Sequence, residues 1–191
     1  MGVDDNDDWS ELWSDRLRAL ESVLGESDDR VLHGAIPFYL GFENGGTADV
    51  VSFSQHFDGV AYVTADLIGC EDQKRSELGN YELMICHREE SEWGPGIVSR
   101  LAHYTLETAI EPGHTMDIGP ATPKGSTIAA LLFDDYATFD VRGELSGLLL
   151  CFGITARELK DCRNHGSETI LEKLKDADIY PFTDLYRDSV V

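Results

Sequence analysis

Positive charge is scarce in this chain: 15 lysines and arginines stand against 36 aspartates and glutamates in 191 residues, a formal net charge of −21. A nucleic-acid phosphate backbone calls for a basic footprint, so this shortage argues against DNA or RNA as a ligand and for a basic partner. Cysteine is also sparse. Cys70, Cys86, Cys151 and Cys162 form no Cys-x-x-Cys pair and have no histidine at zinc-site spacing, which argues against a structural metal. Three of them sit in or beside apolar segments such as 83–86 and 148–152 and read as buried thiols. No run of about 20 apolar residues is present to span a bilayer. Residues 1–8 carry four aspartates where a signal peptide would begin basic, so the expected location is the cytoplasm. What remains, 42% hydrophobic and 27% charged, is the composition of one globular domain with a real core.

The chain divides on charge and period. Residues 1–29 hold ten acidic and two basic side chains, yet Trp9, Leu12, Trp13, Leu17, Leu20 and Leu24 recur near helical spacing, which predicts an amphipathic helix closed by Gly25. This acidic extension is set apart from a domain over 30–191. Two β-rich runs, 50–57 and 60–67, flank Asp58-Gly59, the signal of a tight hairpin. A polar loop over 71–79 leads to an inner strand over 81–87. A helix over 97–108 follows, then a proline- and glycine-rich loop over 109–126. Buried strands are expected over 127–133 and 148–154, with a short strand near 138–141 in the polar stretch between them. Thr155-Ala-Arg-Glu158 has the form of a capping box. Ser167 can cap a last helix over 168–177, and Pro181 keeps the tail extended or turned. Together these predict an α+β fold: a mixed, mostly antiparallel β-sheet with helices packed mainly on one face.

Catalytic motifs are missing. There is no Gly-x-Ser-x-Gly around Ser126 or Ser146. Lys124-Gly125-Ser126-Thr127 reverses the order that a phosphate-binding loop needs. His103 and Glu107 lie one helical turn apart without the second histidine of a zinc protease. Asp134-Asp135 lacks the alternation that surrounds calcium. His114, in the long loop, is the one lone histidine with chemical interest: it reads either as a general base or recognition group, or as a loop residue held by backbone hydrogen bonds. No cofactor is called for.

The order of segments is more telling than any one of them. Tyr81-Glu-Leu-Met-Ile-Cys86, Trp93, Ser99-Arg-Leu-Ala-His-Tyr104, Pro112-Gly-His-Thr115, Gly153-Ile-Thr-Ala-Arg-Glu-Leu159 and Thr183-Asp-Leu-Tyr-Arg187 follow one another as in the Suppressor of fused family, which residues 50–190 resemble. The glycine-led element ending at Leu159 and the final Thr-Asp-x-x-Arg element are the most distinctive. The resemblance implies a compact, single-domain, bacterial-type member without catalytic activity that binds another protein, in animal members by adding a peptide as a strand. It places binding residues at Tyr104, His114 and Trp93. Gly113 stands where animal members have an acidic residue, so their partner is not expected here.

Compact members resemble immunity proteins, and an acidic chain would be steered onto a basic, nucleic-acid-cutting toxin. The rival readings are a regulatory scaffold that sequesters another cellular protein, such as a transcription regulator, and a hydrolase centred on His114. High acidity also serves solubility in salt, with no partner required.

Overall fold

A computed structural model describes residues 5–191; of residues 5–8 only the backbone is described, so the aspartate side chains at the start of the chain lie outside it. Seven strands form one sheet in the order β1-β2-β3-β4-β7-β6-β5. They are β1 (Val31–Leu32), β2 (Val50–Phe53), β3 (Val60–Thr64), β4 (Asn80–His87), β5 (Thr115–Asp117), β6 (Ile128–Val141) and β7 (Glu144–Thr155). Every pairing is antiparallel except the central one, β4 with β7. Helices are α1 (Asp5–Leu24), α2 (Trp93–Leu101), α3 (Tyr104–Glu107), α4 (Ala156–His165) and α5 (Ser167–Asp176).

Alternation along each strand sends successive side chains to opposite faces. Met84, Cys86, Leu148, Leu150, Phe152 and Ile154 point to a core shared with α1, α4 and α5. Tyr81, Leu83, Ile85, Leu149 and Cys151 point to a second core closed by α2 and the segment after it. Most helices therefore lie on the first face, and α2 and α3 cover the other. Strands β4 and β7 are apolar on both sides because both sides are covered.

Several boundaries differ from the sequence reading. The hairpin expected at Asp58-Gly59 is a wide one: Phe53 pairs with Ala61, and residues 54–60 bridge them. Gly59 serves a close approach instead of a turn, since a Cβ there would strike the His87 carbonyl and the Phe182 ring. The expected short strand near 138–141 is the far half of β6, which runs through Asp134-Asp135 by a bulge between Asp135 and Ala137. Asp134 stays buried in it because the Tyr180 hydroxyl donates to its carboxylate at 2.9 Å. At Arg142 and Gly143, both at positive φ, the chain turns straight into β7. The helix over 97–108 starts earlier, at Trp93, and breaks between Leu101 and Tyr104. The loop over 109–126 contains the edge strand β5. The capping box is present, with Thr155 N–H donating to Glu158 Oε2 at 2.8 Å and Glu158 N–H to Thr155 Oγ1 at 3.3 Å. Ser167 does not cap α5; Gly166 occupies that position without a side-chain bond. Cys86, Cys151 and Cys162 are buried, and all four cysteines are free thiols.

Two buried ion pairs fasten the ends of the described chain. From α1, Arg16 reaches under the sheet, where its Nη2 donates to the Ile68 carbonyl at 2.5 Å and its Nε lies 3.6 Å from Glu82 Oε1. Glu82 also accepts from Thr64 Oγ1 at 2.6 Å and from the N–H groups of Leu67 and Ile68 at 2.9 and 2.8 Å. At the other end the tail enters the gap that opens between β4 and β7 beyond Met84 and Leu150, their last paired residues. Thr183 N–H donates to the Cys86 carbonyl on one side, and Gly153 N–H donates to Thr183 Oγ1 on the other. Arg187 then grips both oxygens of Glu158, at 2.5 and 2.6 Å, and donates to the Gly153 carbonyl at 3.0 Å. The two elements that stand out in the sequence, at 153–159 and 183–187, thus hold each other.

Candidate functional site

The segment between β1 and β2 reads Pro37-Phe-Tyr-Leu-Gly-Phe42. It folds as two 3-10 turns, Phe38–Leu40 and Phe42–Asn44, with Gly41 between them at φ 84°, ψ 157°, a conformation open to glycine and strained for other residues. This geometry buries Phe38 and turns its neighbours outward: Tyr39 is 83% exposed, Phe42 69% and Leu40 46%. The loop is held from beneath by His103, which sits in the break between α2 and α3. Its ring centroid lies 4.4 Å from that of Phe38 and 5.7 Å from that of Phe42. Its Nε2 lies 2.7 Å from the Gly46 carbonyl, which can only accept, so this nitrogen carries the proton. The next residue is Tyr104, 43% exposed. Tyr39, Leu40, Phe42 and Tyr104 thus project around one buried histidine. Sequence reasoning singled out Tyr104 but missed the loop. Its signal was a dense apolar run bounded by proline and glycine, which a core strand also shows.

Trp93 and His114 have other neighbours. Trp93 opens α2, donates from Nε1 to the Ala121 carbonyl at 2.8 Å and sets its ring edge-on to His87 at 6.0 Å. Burial pulls the His87 imidazole down to about 4, so the ring under Trp93 is neutral. A helix length of roughly 12 Å separates Trp93 from the α3 end. His114 is exposed just ahead of β5; its Nδ1 accepts from Glu111 N–H at 3.3 Å and its carbonyl from Phe133 N–H at 3.0 Å. The Glu111 carboxylate takes the Glu77 N–H instead of orienting the imidazole. Among the described residues no hydrogen bond or ring contact joins any two of Trp93, Tyr104 and His114, and no group of three or more histidine, cysteine or acidic side chains is placed to hold a metal.

Beside His114 the sheet has an open margin. β5 pairs with β6 only from Ala130 to Leu132, with Gly113 and His114 adding bonds to Phe133. β6 continues to Val141 with β7 as its partner on the inner side alone.

Comparison with known proteins places the chain. The profile of the Suppressor of fused protein matches residues 47–188. The chain belongs to the Suppressor of fused family. No curated protein matches it in sequence. Among solved structures it is similar to a Suppressor of fused homologue from Neisseria gonorrhoeae, with a TM-score of 0.69 and 17% identity over 95% of this chain and 98% of that one. A Sufu–Fu complex aligns with a TM-score of 0.69 and 12% identity over 95% and 91%. Drosophila Suppressor of Fused aligns at 0.69 and 13%, over 92% of this chain and 51% of its own, so this chain spans about half of the fly protein. At these identities the likeness establishes the Suppressor of fused fold. The profile match begins after α1, which nevertheless contributes Leu20 and Leu24 to the core. Among the described residues no helix is long and apolar enough to cross a membrane.

Proposed function

We propose that this Suppressor of fused-family chain is a non-enzymatic protein-binding domain acting in the cytoplasm, with its contact surface at Tyr39, Leu40, Phe42 and Tyr104 and along the neighbouring margin of β6. Its partner is a basic protein, as for an immunity protein that neutralises a basic toxin. The observation that carries this reading is the aromatic patch itself: large apolar side chains held outward by a buried anchor on a chain of net charge −21. Aromatic side chains are the residues that supply binding energy at protein interfaces, and surrounding negative charge speeds encounter with a basic surface. His114 contributes through its backbone at the margin of β6, and Trp93 through support of α2.

The test is capture of partners from cells of the source organism at moderate salt, by the wild-type chain and by a Phe42→Ser/Tyr104→Ala variant. A basic enzyme retained by the wild type, released by the variant and silenced in the complex establishes the immunity reading. The scaffold reading is favoured by the likeness to a Sufu chain solved in complex with Fu; capture of a non-toxic regulator would establish it instead. Retention by both proteins alike would remove the patch from either account.

A further inference from the structure

Away from that patch, at the β1 side of the sheet, a groove of about 720 Å³ runs between the chain entering β1 and the connection from β4 to α2. Leu32, Val60, Tyr62 and Pro95 line it with apolar surface, and the serines Ser52 and Ser54 line it as well. Acidic groups stand on both walls: Asp28 on one, Glu90 and Glu92 on the other. Asp28 is fixed by the Ser54 hydroxyl, which donates to it at 2.6 Å. Ser52 is 7% exposed, lines the groove and has no side-chain hydrogen-bond partner among the described residues. The Tyr62 hydroxyl accepts from Ser91 N–H at 3.0 Å, which holds the far wall to β3.

We infer that this groove binds an arginine side chain presented by a protein partner. An aliphatic stem lies over Leu32, Val60 and Pro95, and a planar cation with several donors meets carboxylates on two sides and the unpartnered Ser52 hydroxyl. Among the described residues no three carboxylates are placed to hold a metal ion together; a guanidinium, which reaches separate acceptors through separate N–H donors, needs no such convergence. Arg30 also lines the groove and makes no salt bridge among the described residues. Its charge competes with an incoming cation. The groove and the Tyr104 patch are separate surfaces, and this inference stands without the patch.

The test uses the full chain labelled for NMR and a hexapeptide, acetyl-Gly-Leu-Arg-Leu-Arg-Gly-amide, at physiological salt. The expected result is a set of shifts confined to Ser52, Ser54, Val60 and Ser91. Affinity should fall at least about fivefold when citrulline replaces arginine, and as much in Glu90→Gln/Glu92→Gln, whose exposed substitutions leave the fold intact. Arg30→Ser should tighten binding about twofold or more. Equal binding of the citrulline or the lysine peptide would overturn the assignment, as would shifts scattered over the acidic surface. Tyr104→Ala should leave the shifts in place; their loss would move the peptide to the aromatic patch and end the proposal.

Discussion

Arg16–Glu82 and Arg187–Glu158 are both buried ion pairs that fix a chain segment to the sheet, yet they are built to different standards. Arg187 meets both oxygens of its carboxylate and adds two carbonyls, of Gly153 and Asp188, leaving only Nε without a partner. Arg16 stands 3.6 Å from Glu82, spends its short bond on a carbonyl, and leaves Nε and Nη1 without hydrogen-bond partners among the described residues. The titration of the two acids follows. Burial alone would raise the Glu158 carboxyl, but hydrogen bonds from Arg187, Thr155 N–H and Val190 N–H, with the guanidinium charge, hold it below the usual glutamate value. At Glu82 burial prevails over the Arg16 charge and the donors of Thr64 and Ile68, and pushes the carboxyl up from 4.5 to about 7. A buried charge is stable in proportion to how completely its partner meets it, not to the presence of a partner.

The largest effect should come from breaking the better pair. Arg187→Met leaves a carboxylate with no exposed surface unpaired, and should cost about 3–5 kcal/mol in urea denaturation at neutral pH. Arg16→Met should cost less, about 1–3 kcal/mol at pH 8, and less again at pH 5, where Glu82 takes up a proton and needs no cation. An equal cost at both pH values would refute the contrast. In the wild type the two clamps should loosen in opposite directions. Glu82 binds its proton more tightly folded than unfolded, so its contribution, on the order of 3 kcal/mol, is complete below about 4.5 and is lost as pH rises toward about 7. Glu158 binds its proton less tightly when folded, so its contribution is complete above about 4.5 and is lost only as pH falls below that. Hydrogen exchange, corrected for intrinsic rates, should show α1 opening more readily from pH 5 to pH 7 and the tail at Phe182–Arg187 opening only in acid. The smallest change in stability, within about 0.5 kcal/mol, is expected for Tyr104→Ala, because its ring is half in water; a thermal melt checks it.

The architecture was largely legible because it rests on local signals. The apolar stripe of α1, the β-rich run that contains β3 and the Thr155–Glu158 cap are each contained within a few turns or strand residues. What escaped was non-local. Nothing near Glu82 announces Arg16, 66 positions earlier, and the charges at Asp134-Asp135 hide a continuous strand until Tyr180 supplies a donor. In the break after α2, His103 bonds to Gly46, 57 positions away in sequence. The exposed loop at Phe38–Phe42 has the composition of a core segment, and only the Gly41 backbone and the His103 anchor turn it outward. Tyr104 was singled out by family likeness, and that likeness, which covers residues 50–190, does not reach the loop at Phe38–Phe42.

The insertion of Thr183 between β4 and β7 also sets a timetable. At synthesis rates of roughly 5–20 residues per second, the 100 residues from His87 to Arg187 take about 5–20 s to follow the end of β4 out of the ribosome. Through that interval β3 is paired with the end of β4 on one side, but the Cys86 carbonyl, which Thr183 N–H will meet on the other, has no permanent neighbour. The middle of this sheet is therefore completed late in translation, and a nascent chain halted before Thr183 remains open to protease, or to a chaperone, at the centre of its fold.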